Sequence, residues 1–138
     1  MGEEKRSLMH TKEQERAKVA WETIKNINQE KDKQFKREYR SWALKLPTLI
    51  LTNGLGQSLA FLKSKGKNDI KKVEERIYQD LQNWLFENIT WGNANQNELM
   101  ERIVNISSDK YRHVTIEALG FLNWLKKFAD AVLPKEGE

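Results

Sequence analysis

The chain has 138 residues, 24 Lys and Arg against 20 Asp and Glu, a net charge of +4 and 38% hydrophobic residues. That length predicts one domain over residues 1–138, with enough apolar content to bury a core and too much for a disordered polyelectrolyte. The absence of cysteine excludes disulfides, thiolate metal sites and cysteine nucleophiles, and fits a reducing compartment.

Helical periodicity runs through the chain, and no stretch alternates convincingly enough to predict a strand. Residues 1–10 read as a loosely held end without the apolar run of a signal peptide, and 134–138 as a tail. Thr11 with Gln14 resembles a capping box, followed by the apolar stripe Ala17, Ala20, Trp21, Ile24 and Ile27. Phe35, Tyr39, Trp42 and Leu46 repeat the spacing in a second helix that Pro47 is expected to end or kink. Pro47 also suits the first turn of a third helix, closed by Gly66. Asn68 or Asp69 is the expected cap of a fourth, which carries Ile70, Val73, Ile77, Leu81, Trp84 and Leu85.

Asn88 to Asn95 reads as a loop centred on Trp91-Gly92, and Asn95 with Glu98 starts a short helix bearing Leu99, Ile103 and Val104. Ser108 is the expected cap of the last helix, and Pro134 its stop. The apolar side chains of that helix, from Trp124 and Phe128 round to Leu119, cover roughly 220° of its circumference. It therefore needs neighbours on more than one side. The predicted fold is an all-α, single-domain bundle of five to six helices around this central C-terminal helix. No run approaches the ~18 apolar residues of a membrane span, so a soluble cytoplasmic protein is expected.

Catalytic chemistry has little to work with. Gly54-x-Gly56 followed by Ala60 imitates a dinucleotide-binding turn, with Leu49-Ile50-Leu51 as its strand and Asp69 or Glu74 at ribose distance. The fingerprint needs a third glycine where Leu59 stands and a parallel sheet around it. A helix whose glycines admit a close neighbour is the better account. His10 lies in the loose end. His113 follows Asp109 by four residues, a spacing commoner in surface pairs than in general bases. No metal-ligand spacing such as H-E-x-x-H occurs. No cofactor, no metal and no enzymatic activity are expected.

Two basic clusters carry the functional signal. In the second helix Lys33, Lys36, Arg37 and Arg40 fall on one arc opposite the apolar stripe, and Lys45 follows. The second cluster holds Lys63, Lys65, Lys67, Lys71, Lys72 and Arg76, diluted by Asp69, Glu74 and Glu75. Such arcs neutralise phosphates along a nucleic-acid strand, with affinity that falls as salt rises. Charge alone fits a solvated face better. Trp21, Trp42 and Trp84 lie on apolar stripes and Trp124 borders one, so they read as core. Trp91, in a loop, is the one tryptophan placed as a surface stacking platform.

Leu46-Pro47, Asn53-Gly54-Leu55 and Ala60-Phe61 form a pattern with Tyr111, Thr115, Glu117-Ala118-Leu119, Trp124-Leu125 and Phe128-Ala129. In these features the chain resembles the small all-helical subunit of the Cmr complex, the type III-B CRISPR-associated RNA-guided effector. The resemblance implies a non-catalytic subunit of antiviral defence whose copies stack into a minor filament. That filament lies beside the backbone subunits that hold the guide RNA, and helps form the groove where target RNA pairs. Implied partners are the backbone and large subunits, further copies of the chain, and guide and target RNA, with no membrane. Lys126 and Lys127 lie inside the matched stretch and join the candidate RNA contacts Lys33, Lys36, Arg37, Arg40, Lys45, Lys63, Lys65, Lys67 and Lys71. The other reading left open is a helical protein–protein adaptor without a nucleic-acid role.

Overall fold

The computed structural model describes the backbone of residues 2–137 and the side chains of residues 11–137; His10 lies outside the described side chains. Among the described residues there are six helices and no strand: α1 Gly2–Asn28, α2 Lys33–Asn53, α3 Leu55–Gly66, α4 Val73–Asn88, α5 Leu99–Asn105 and α6 Ser108–Val132. The bundle is all-α, as its periodicity predicts.

α6 sits at the centre, packed against α1, α2 and α4, while α3 and α4 pack on each other and α5 rests on α3. Val114, Ala118, Phe121, Leu122, Leu125 and Ala129 of α6 are completely buried. Three packed neighbours account for its wide apolar face: a surface helix needs only one stripe. Trp84 of α4 stacks on Phe121 of α6, with ring centroids 5.2 Å apart and planes 11° from parallel.

Helix boundaries are where the sequence misleads. α1 runs Gly2–Asn28, so Thr11 and Gln14 lie within it and do not cap it. Asp32 caps α2, accepting the Gln34 backbone N–H at 3.0 Å. α2 continues through Pro47 to Asn53. Pro47 offers no N–H to the preceding turn, but Leu46, Pro47 and Ile50 are all buried there, and packing of that turn outweighs one missing hydrogen bond.

The break comes instead at Gly54, whose φ of +88° favours glycine. Its N–H closes α2 on the Ile50 carbonyl at 2.8 Å, and α3 starts at the next residue. Two residues on, the Gly56 N–H donates to the Tyr111 hydroxyl of α6 at 2.8 Å. The two glycines that imitate a phosphate-binding turn therefore make a helix–helix junction.

α4 starts after Lys72, not at Asn68 or Asp69. Lys67 and Asn68 adopt left-handed φ values of 50° and 60°, and Asp69 folds over a turn by accepting the Lys71 N–H. Ile70 consequently lies outside the helix and is 51% exposed. α5 begins at Leu99 with Glu98 as its cap residue, and Val104 on its outer side is exposed. The cap of α6 is Ser107, not Ser108; its side chain accepts the Lys110 N–H at 3.2 Å.

Two tryptophans also depart from expectation. Trp91 is buried, its indole N–H donating to the Leu85 carbonyl at 3.2 Å, so it is no surface platform. Trp21, read as core, is 42% exposed and meets Phe128 edge-on with centroids 5.0 Å apart.

Candidate nucleic-acid interface

The α2 arc is less free than the wheel implies. Its buried positions extend from Trp42 through Tyr39 and Leu46 to Ala43 and Pro47, because α3 and α4 pack on one flank and α6 on the other. Lys36, Arg37 and Arg40 border that second flank and are half-buried; only Lys33 is exposed. Arg40 pairs with Asp130 of α6, and the Lys36 ammonium donates to the Asn28 carbonyl at the end of α1 at 3.3 Å. The Arg37 guanidinium reaches Gln34 at 3.4 Å. The Arg40 and Lys36 contacts tie α2 to α6 and α1, while the Arg37 contact stays within α2.

The second cluster divides in the same way. Lys63 is engaged inside the fold: its ammonium lies 2.9 Å from the buried Glu75 carboxylate and 3.4 Å from Glu98, over the Tyr78 ring. Arg76 pairs with Glu30 at 3.2 Å. Lys65, Lys67, Lys71 and Lys72 are exposed. Lys126 is half-buried, and Lys127 is exposed with its ammonium over Trp124. Lys45 is exposed, its ammonium 3.9 Å from the centroid of the Trp42 ring.

The sequence reading missed this lysine–aromatic pairing. Trp42 with Lys45, and Phe61 with Lys65, are spaced i,i+3 and i,i+4 on one helix face, and that spacing was the available signal. The Lys65 ammonium lies 5.4 Å from the Phe61 centroid, and Phe61 tilts against Trp42 at 5.8 Å across the groove between α2 and α3.

Two carboxylates inside the bundle were also missed. Glu117 of α6 is 5% exposed and binds Arg16 of α1 through two hydrogen bonds of 2.7 and 2.9 Å. The Trp84 indole N–H donates to it at 3.1 Å. Burial raises the Glu117 pKa, but Arg16, Trp84 and Lys12 together outweigh that and hold it below the usual carboxylate value. Asp80 of α4 accepts the hydroxyl of the buried Tyr39 at 2.7 Å. Burial raises its pKa from 3.8 to about 6, against the smaller opposing pulls of Tyr39 and Arg76.

Asp80 lines a cleft between α1 and α4 that Trp84 fills at one point and Glu15 and Glu87 border. Among the described residues neither Glu117 nor Asp80 has a hydrogen bond or ion pair to a histidine. His113 and Asp109 are both exposed, and no hydrogen bond or ion pair joins them. Among the described residues no three His, Asp or Glu side chains converge on a metal position, and no helix is long and apolar enough to cross a membrane.

The chain matches the family model of the CRISPR-associated protein Cas_Cmr5 over residues 12–132. It is 32% identical over 125 residues to the CRISPR system Cmr subunit Cmr5 of Thermus thermophilus, covering 91% of this chain and 98% of that protein. Identity to the protein of the same name from Thermotoga maritima is 28% over 128 residues, covering 93% of this chain and 89% of that protein. The crystal structure of a CRISPR-associated Cmr5 family protein from Thermus thermophilus superposes with a TM-score of 0.71 at 31% identity, covering 89% of this chain and 97% of that one. The chain belongs to the Cas_Cmr5 family.

Proposed function

We propose that this member of the Cas_Cmr5 family is the non-catalytic small subunit of a type III-B Cmr effector complex, stacking with further copies of itself and presenting lysines to target RNA. One observation carries the reading: the similarity to proteins named as Cmr subunit Cmr5 extends over about nine-tenths of the chain, and the family match runs from residue 12 in α1 to the end of α6. The backbone and large subunits are then its protein partners, in the cytoplasm. A non-catalytic role suits side chains whose carboxylates and cations serve packing.

The pairing pattern narrows the candidate RNA contacts. Arg40, Lys63 and Arg76 have carboxylate partners within the chain. Lys33, Lys67, Lys71 and Lys127 are exposed and make no ion pair among the described residues. Their charges, like those of the exposed Lys45, Lys65 and Lys72, are available to phosphate, and each contact formed releases counterions and steepens the salt dependence of binding.

The test is target-RNA capture by the reconstituted complex, with the chain present, omitted, or carrying Lys33→Gln, Lys67→Gln, Lys71→Gln and Lys127→Gln. Omission is expected to lower capture, and the fourfold variant to weaken it and flatten its salt dependence while circular dichroism stays unchanged. Capture that is equally strong without the chain would refute the role. RNA cleavage that co-purifies with the isolated chain and is lost in His113→Ala would refute its non-catalytic character.

A further inference from the structure

The groove between α2 and α3 differs in chemistry from the two acidic depressions on the surface, the α1–α4 cleft and the hollow beside Phe35. It encloses about 370 Å³ and is lined by two aromatic rings, Trp42 and Phe61, with Leu49, Lys45 and the small polar side chains of Thr48, Thr52 and Asn53. Among the described residues no carboxylate lines it. The α1–α4 cleft has Glu15, Asp80 and Glu87 on its walls, and the depression beside Phe35 has Glu30 and Asp32. The groove therefore repels cationic and favours anionic ligands.

Its rings are held in place. The Trp42 indole N–H donates to Glu74 at 3.0 Å, which fixes the ring as a nearly buried floor. Phe61 leans on that floor and is 45% exposed, so aromatic carbon is accessible at the groove. Phe61 packs on Trp42 at the edge of the core, which α3 fills with the fully buried Leu55, Leu59 and Leu62, and the Lys65 ammonium lies over its ring.

We propose that this groove is a nucleotide subsite for single-stranded RNA. A base stacks on Phe61, its edge meets the Asn53 amide and the Thr52 hydroxyl, and Lys45 and Lys65 meet the phosphates on either side. The proposal rests on the RNA-associated reading above and adds to it a contact with the base itself. Flat rings suit a base better than the branched side chain of an acidic peptide. An amide that both donates and accepts hydrogen bonds suits a base edge. Base–aromatic stacking is tolerant of sequence because every base offers a π-face, as a subunit meeting many targets requires.

The experiment compares a short mixed-sequence single-stranded RNA with a ribose–phosphate oligomer of the same length and charge that lacks bases. Binding to the full chain and to the reconstituted complex is measured at two salt concentrations. The RNA is expected to bind more tightly than the abasic oligomer. Phe61→Ala is expected to weaken RNA binding about 5- to 150-fold, the range for loss of one stacked base, to leave the abasic oligomer unaffected and to keep the salt slope. Phe61→Trp restores the loss, and Lys45→Gln with Lys65→Gln flattens the slope.

Equal affinity for both oligomers, or a Phe61→Ala variant that binds RNA as the parent does, would overturn the subsite and leave the subunit role standing. Displacement of RNA by polyglutamate, with the same dependence on Phe61, would also overturn it. A complex whose target capture does not depend on the chain at all would sink the subunit role first and the subsite with it.

Discussion

Asp80 is the group whose replacement should stabilise the protein. Its carboxylate stands at the wall of the α1–α4 cleft against the buried Tyr39, and burial raises its pKa from 3.8 to about 6. The sign follows directly. Above pH ~6 the folded state holds an ionised group that it disfavours, while the unfolded chain holds it solvated, so the protein is less stable there. As pH falls through about 6 the folded state takes up its proton first and stability rises, levelling off near 3.8 where both states are protonated. The full difference corresponds to about 3 kcal/mol. Water in a cleft of about 370 Å³, together with Arg76 on its wall, reduces that figure; the expected gain for Asp80→Asn is about 1–2 kcal/mol above pH 7. Asparagine retains an oxygen to accept the Tyr39 hydroxyl, so the comparison isolates the charge. Urea unfolding followed by circular dichroism from pH 4 to 8 measures it: the two curves should meet near pH 4 and separate as pH rises. A variant that is less stable than the parent at pH 7, or a difference independent of pH, would refute the reasoning and mean that Arg76 compensates the charge fully.

Glu117→Gln should show the opposite pH dependence. Removing the charge leaves Arg16 beside a neutral amide and is expected to cost about 2–4 kcal/mol at neutral pH, below the full value for a buried pair because Arg16 reaches solvent. Since the folded-state pKa of Glu117 is lowered, the wild-type advantage is present above the usual carboxylate range and fades as pH falls through the folded value, which denaturant melts at acid and neutral pH will show. Gly66→Ala tests a close contact between α3 and α4. A Cβ there would lie 2.7 Å from the Glu75 backbone nitrogen and 2.9 Å from its Cβ, neither able to swing away, so α3 and α4 must separate. A loss of about 1–3 kcal/mol is expected in thermal or chemical unfolding, and an unchanged midpoint would show that the two helices adjust freely.

The fold was legible because helical spacing is a local property. The stripe Val73, Ile77, Leu81, Trp84 and Leu85 marks α4, and all five side chains are buried. The wide apolar face of α6 announces its three neighbours in the same way. Boundaries were less legible because they depend on tertiary packing. Pro47 reads as a stop until the buried turn around it is known, and Gly54 ends α2 by a backbone angle that no hydrophobic pattern records. Trp91 was read as exposed because it lies in a loop, yet the loop folds inward: its ring meets Phe86 edge-on with centroids 6.0 Å apart, and the Arg102 guanidinium lies over both rings.

The candidate site was half legible, and one physical distinction divides it. A helical wheel shows that Arg40 and Lys33 share an arc, but not that α6 stands on one side of that arc and brings Asp130 to Arg40. Two of the kinds of partner that cations meet in this bundle leave different amounts of charge to an incoming anion. Arg16, Arg40, Lys63 and Arg76 meet carboxylates, and each pair is close to neutral from outside. Lys45, Lys65 and Lys127 lie over aromatic rings, which attract a cation without cancelling its charge. The field available to an anion therefore arises from the second set and from the exposed lysines, not from the clusters as counted along the sequence. A phosphate approaching Arg40 must displace Asp130, whereas one approaching Lys45 displaces only water and gains the ring surface beside it. On that argument a phosphate is better received at the α2–α3 groove proposed above than at the arc around Arg40.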